Sequence, residues 1–418
     1  MTNELVYWIW LSLHTGAGSE LGSYLLRHFP TPRAVYDATE EELRRLDGID
    51  DAIVSVLSDR DLSLSQRILE YCERVNVGIM TLDSALYPDR LRAIHAKPIL
   101  LYYRGRVPKI DDNVMIACVG TRDCSDAGRA NAKKLGHELA VGGAIVVSGM
   151  ARGIDSAAQE AALEAGGHTI AVLGCGIDRA YPRHHKRLSD EIAEYGAVIT
   201  EYAPGTPPNH HNFPARNRLI SALSEAVLVI QGGETSGALI TARYALLQGK
   251  SLFAVPGNID HPEAAGPNLL LRAGARVALC AEDILSHFRF LYREHIGVSL
   301  PDEAMQYSAV TPEKLRAHGV RPVGEESTKK AKRVAKEKEE EVVETTTQMP
   351  VSLLAEAVES LDARQREIYA LLPETPFTVD HLVAAGIPAG ESVAAMTLFE
   401  ILGIVSARPG GTYQKAEA

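Results

Sequence analysis

Nine apolar, β-rich runs recur between residues 77 and 290: GIMTL, PILLYYRG, NVMIACVG, AIVVSG, HTIAVLG, AVITEY, EAVLVIQ, KSLFAVPG and ARVAL. Most are separated by helical stretches such as DAGRANAKKLGHELAV and SGALITARYALLQG. A strand that is apolar at nearly every position buries both faces, as the strands of a parallel sheet do between two layers of helices. The pattern predicts an α/β domain over 77–290, an extended Rossmann-like, doubly wound parallel sheet.

The flanking segments follow other rules. Residues 1–75 read as a small helical domain, beginning with the apolar stretch MTNELVYWIWLSLHTG, which lacks the basic region and cleavage site of a signal peptide. Thr31-Pro32 and the acids after Thr39 are helix-start signatures. LRRLDGIDDAIVSVL at 44–58 resembles a helix–hairpin–helix turn. Asp47, Asp50 and Asp51 would repel a phosphate there, which favours a plain connector. Residues 302–350 carry a basic block followed by an acidic one with almost nothing to bury, the composition of a charged, flexible linker. From 351 to 418, three amphipathic segments precede SARPGGTYQK, a hairpin with Gly410-Gly411 at its turn, which together make a winged helix. That tail holds nine Asp/Glu and four Lys/Arg, and GESVAAMTLFEIL has no basic residue, so protein docking suits it better than DNA readout.

Five scattered cysteines without a C-x-x-C pair argue for a reducing, cytoplasmic setting and against zinc or a disulfide framework. No apolar run approaches the roughly 20 residues of a membrane span. The net charge of −11 disfavours nucleic acid only on average, because binding depends on the local field.

Ligands of a doubly wound sheet lie beyond the carboxyl ends of its strands. Those ends carry Gly120-Thr121-Arg122, then Ser148-Gly149-Met150-Ala151-Arg152-Gly153, then Gly174-Cys175-Gly176 with DRAYPRHHKRL. APGTPPNHHNFPARNRLI and QGGETSGALITA follow, the latter with Ser236-Gly237 at a helix start. Glycine admits backbone N–H groups close to an anion, and a helix N-terminus adds about half a positive charge. Arg122, Arg152, Arg179, Arg183, Lys186, Arg187, Arg216 and Arg218 are expected to converge on this edge, with Asn217 beside them. Tyr181 and Phe213 offer rings on which bases could stack.

The chain lacks G-x-x-x-x-G-K-[ST] and G-x-G-x-x-G with its acidic partner, which speaks against NTPase and NAD(P) chemistry, and no cofactor or metal is expected. His210-His211 lacks the partners a metal site needs.

Together VGTR, SGMARGIDSAAQEAAL, TIAVLGCGIDRAYPRHHKRL, FPARNRLISALS, SGALITARYALLQGK and VPGNID resemble the ordered motifs of the DNA-processing protein A (DprA, or Smf) family. The resemblance implies a bacterial cytoplasmic protein that binds single-stranded DNA without sequence preference. It also implies a homodimer formed through the Rossmann-like domain and delivery of incoming strands to the RecA recombinase in natural transformation. Carried over, it marks Arg122, Arg183, Lys186, Arg216, Asn217 and Arg218 as DNA contacts and implies no catalytic residue. On this reading Gly149–Gly153 cradles the phosphates of a strand. Thr121 stands where the family commonly has Ser, and His185 where Asn is usual. IQGGETSG replaces a Val-Glu-Ala lead, which leaves Gln231 without a carboxylate role.

The alternative is a nucleotide phosphoribohydrolase of the lonely-guy (lysine-decarboxylase-like) type. Its Pro-Gly-Gly-x-Gly-Thr motif is faintly echoed by Gln231-Gly-Gly-Glu-Thr-Ser-Gly, and it would make Glu234 and Arg218 catalytic.

Overall fold

The apolar opening of the chain folds as helix α1, Glu4–Thr15, capped by the Asn3 side chain, which accepts the N–H of Leu5 at 3.1 Å. Five helices follow: α2 Leu21–His28, α3 Pro32–Asp37, α4 Glu40–Arg44, α5 Asp51–Leu57 and α6 Ser63–Arg74. The acids of the α4–α5 turn serve the helices themselves: Asp50 accepts the N–H of Ile53 at 2.8 Å, and Asp51 pairs with Arg44 at 3.0 Å. The α5 N-terminus is thus already satisfied from within.

The computed structural model describes residues 3–292, Ile296 and part of the segment 358–415. It divides into two units, Met1–Val298 and Ser299–Ala418. The expected linker at 302–350 and the Gly410-Gly411 turn lie outside the described residues.

After α6 the first unit runs β1 Gly78–Thr81, α7 Asp89–Arg92, β2 Leu100–Gly105, β3 Met115–Gly120, α8 Asp126–Val141, β4 Ile145–Ser148, α9 Ile154–Glu164 and β5 Thr169–Leu173. It continues with α10 Lys186–Tyr195, β6 Ala197–Thr200, α11 Asn212–Leu223, β7 Ala226–Gln231, α12 Gly237–Leu247, β8 Ser251–Ala254, α13 Ala265–Arg272, β9 Arg276–Val277 and α14 Glu282–Leu285. The strands form one nine-stranded sheet, in the order β1-β2-β6-β5-β4-β3-β7-β8-β9.

From β6 across to β9 every pairing is parallel, as the apolar runs predict. At the other edge the expectation of a parallel sheet needs correction: β1 pairs antiparallel with β2, and β2 antiparallel with β6. An apolar run reports that a strand is buried and says nothing of its direction.

Along β3 the alternation of side chains splits the core. Met115, Ala117 and Val119 face α11 and α12, while Ile116 and Cys118 face α8, α9 and α14. The alanines of α9 let it lie close against α8. The N-terminal helices and α10 cover Leu100, Tyr102, Ala171, Leu173 and Val198. Chain order runs outward from β3 to β6, then returns to place β7 on the opposite flank of β3. The crevice between the ends of β3 and β7 is therefore the switch point of the sheet.

In the second unit, α15 Ala363–Ala370, α16 Asp380–Ala384 and the antiparallel hairpin β10 Val405–Arg408 with β11 Thr412–Lys415 surround Leu361, Ile368, Leu382, Met396 and Phe399. Phe377 bridges to Tyr413 beside the hairpin.

Candidate nucleic-acid interface

A cleft of about 700 Å³ opens at the switch point, lined by Gly120, Thr121 and Arg122 after β3, by Gly233 and Thr235–Gly237 after β7, and by the first turns of α11. A register shift at Val119/Gly120 pairs Gly120 with Gln231 and turns the Thr121–Arg122 loop outward. Gln231 fastens the two loops together. Its Oε1 accepts the Ser125 N–H at 2.9 Å, and its Nε2 donates to Ser125 Oγ at 2.7 Å. Gln231 thus has a structural use at this position, holding the N-cap of α8 from the end of β7.

Three of the expected contacts meet in the cleft. Arg122 lies over the Phe213 ring, 5.1 Å from its centroid, and the Tyr181 ring packs beside Phe213 at 5.2 Å. Tyr181 is exposed and Phe213 half-buried, which leaves ring surface facing outward. Among the described residues neither Arg122 nor Arg183 is held by an acid, and both are exposed. Asn217, Ser236 and Gly237 also line the cleft, where the Asn217 amide donates to Gly237 O at 3.3 Å and Ser236 caps α12.

Arg152 and Lys186 are exposed and engaged, the first with Asp123 and the second with Asp190. The Lys186 ammonium and then Arg104 hold the Asp190 carboxyl below its ordinary range. Exposed pairs of this kind contribute about 0–1 kcal/mol, so either cation can exchange its acid for a phosphate.

The expected convergence of eight cations is not what the fold builds. Arg216 and Arg218 are both buried, at 5% and 4% exposure. The Arg218 guanidinium donates to both oxygens of Glu201, at 2.8 and 2.7 Å, and to Ala96 O at 3.1 Å. The same carboxylate accepts the Gly18 N–H at 3.2 Å, so the pair ties α11 to the α1–α2 turn. Arg218 is thus held in a buried structural ion pair.

Arg216 forms part of the cleft floor, 5.9 Å from the Phe213 ring centroid, and donates to Gly149 O at 3.0 Å and also to Val172 O. Burial lowers its pKa to about 10, with Asp155 opposing and Arg122 adding to that shift. A Cβ on Gly149 would come within 2.5 Å of this guanidinium, which explains the glycine.

The Gly149–Gly153 bend also departs from expectation. Ser148, Gly149, Gly153, Gly174 and Gly176 are all buried. Ser148 Oγ donates to Cys118 O at 2.6 Å, and the Gly149 N–H donates to Asp155 Oδ2 at 3.2 Å. Gly153 has φ +93, and a Cβ there would meet Thr121 O at 2.4 Å. This bend is packed against its neighbours and filled by the protein's own carboxylate. Gly174 makes room for Phe213, whose ring would lie 2.9 Å from a Cβ added there.

Asp155 and Glu201 are thus the site-shaping residues that sequence reasoning passes over. The acid in GID at a helix start was the available signal for the first; Glu201 gave none, lying in a strand-end run with no motif.

A family model described as DNA recombination-mediator protein A matches residues 78–289, and one for the DprA winged helix domain matches residues 354–411. Protein Smf of Synechocystis sp. is 32% identical over 418 residues, covering 99% of each chain. DNA processing protein DprA of Bacillus subtilis is 36% identical over 242 residues, 58% of this chain and 77% of its own. A solved structure of DNA processing protein A from Helicobacter pylori, described for its single-stranded DNA binding mode, aligns at 32% identity. It covers 52% of this chain and 97% of its own, with a TM-score of 0.46.

Proposed function

This chain belongs to the DNA recombination-mediator protein A family, and from that premise we propose that its switch-point cleft binds single-stranded DNA without sequence preference. The observation that carries this reading is the Arg122–Phe213–Tyr181 platform, a cation and two rings side by side in an open cleft. A ring stacks on any base, and a guanidinium meets any phosphate, so the combination reads a strand without reading its sequence. Arg183, exposed two residues after Tyr181, and Arg152, next to the cleft-lining Ala151, are the cations taken to extend the strand's path from this platform, with Lys186 on α10 a more distant candidate.

The chain then acts as a mediator rather than a catalyst, passing bound strands to a RecA recombinase in the cytoplasm during DNA uptake. The phosphoribohydrolase alternative loses its arginine, because Arg218 is committed to Glu201. Self-association through the α/β domain is supported by the edge at β9, where Val277 and Leu279 are 50% and 60% exposed. Anisotropy of a labelled dT oligonucleotide tests the reading, with a duplex as control. Salt-sensitive binding of the single strand supports it, and absence of binding to either form sinks it.

A further inference from the structure

The bend after β4 has the geometry of an anion-binding concavity, with Met150 in the left-handed region at φ +54 and the Gly149 N–H pointing inward. It is already occupied. Asp155, in the first turn of α9, folds back so that its carboxylate accepts Gly149 N–H at 3.2 Å, and the Ala151 N–H also bears on it. Burial raises the Asp155 pKa, and the Arg216 guanidinium, bonded to the Gly149 carbonyl, opposes that shift and supplies the compensating charge. Asp155 lines the cleft, so an incoming anion meets a buried carboxylate where a free nest would offer donors.

We infer that Asp155 is a specificity-determining residue: its carboxylate fills the concavity after β4, so the cleft refuses the terminal phosphate of a mononucleotide and accepts internal phosphodiesters along its rim. This inference rests on the proposed DNA binding for its second half only. A phosphate monoester carries close to two charges near neutral pH and needs several donors at once. Here those donors are spent, and a like charge faces it. A diester carries one charge and is served by Arg122 at the cleft mouth, beside the Tyr181–Phe213 rings that take the base.

The test uses the full chain and Asp155→Ala. In wild type, inorganic phosphate raises Tm no more than chloride at matched ionic strength. In Asp155→Ala, the vacated concavity and the uncompensated Arg216 bind the ion, giving a phosphate-specific rise of about 2–4 °C. Asp155→Asn, which keeps the volume and an acceptor for Gly149 but removes the like charge and leaves Arg216 uncompensated, gives a phosphate response between those of wild type and Asp155→Ala. If Asp155→Ala does not fold, Asp155→Ser vacates most of the same space while keeping a helix-capping oxygen, and is read in the same way. In parallel, TpT displaces a labelled dT oligonucleotide from wild type at least tenfold better than dTMP does, and this preference shrinks or reverses in the vacated variant. A wild-type Tm that responds to phosphate as strongly as the variant's, or dTMP competing as well as TpT, overturns the inference. If no oligonucleotide binds at all, the DNA reading fails by itself, while the phosphate response still decides the role of Asp155.

Discussion

Arg218 grips both carboxylate oxygens of Glu201, and both residues are buried, where α11 meets the α1–α2 turn through the Gly18 N–H. The helix that presents Phe213 and Asn217 to the cleft is therefore anchored by a charge pair far from solvent. Removing one member of such a pair leaves the other charge stranded.

Glu201→Gln is accordingly expected to destabilise the chain by about 3–5 kcal/mol. Arg122→Ala, at an exposed position, should change stability by no more than about 0.5 kcal/mol. Denaturant unfolding of the two variants beside wild type checks this. Equal stabilities would show that the buried pair is not an anchor.

Phe213→Ala should weaken binding of a dT oligonucleotide by about 1–3 kcal/mol, the usual contribution of one stacked base. A ring neutralises no phosphate, so the slope of log K against log salt should stay at its wild-type value. Tyr181→Ala, at the more exposed ring, should behave alike with less risk to packing. A changed slope with unchanged affinity would contradict the stacking role.

The difference between the arginines is the part that sequence could not supply. Arg122, Arg216 and Arg218 all sit in glycine-rich or helix-start segments beyond strand ends, and composition treats them alike. What separates them is which acid the fold brings near. Asp155 comes from another strand–loop unit, and Glu201 stands at the start of the long loop from β6 into α11; neither their approach to α11 nor their burial follows from local spacing. The parallel core was legible because both-face burial leaves an apolar run at every strand. The antiparallel pairing of β1 and β2 was not, because Ile79 and Leu101 would be equally apolar in either direction. Tyr181 and Phe213 were legible as candidates from their proline and basic neighbours, and the fold sets them side by side.

The tail from 351 to 418 holds nine acids and four bases, and the first unit ends at Val298. A chain of residues 1–298 is expected to bind single-stranded DNA within about twofold of the full chain, since a net acidic module supplies little phosphate neutralisation. Titration of both forms against one oligonucleotide measures this. Loss of binding on truncation would place essential contacts in the winged helix instead.

On the proposed function, Arg122 at the switch-point cleft meets the phosphates of a single strand. Fluorescence anisotropy of a labelled dT oligonucleotide, taken across a salt series for wild type and Arg122→Ala with a duplex control, tests it most directly. Wild type should bind the single strand in a salt-dependent manner, and Arg122→Ala should bind more weakly with a log–log slope reduced by about 0.7. An unchanged slope and affinity in Arg122→Ala would move the strand away from this cleft and contradict the account.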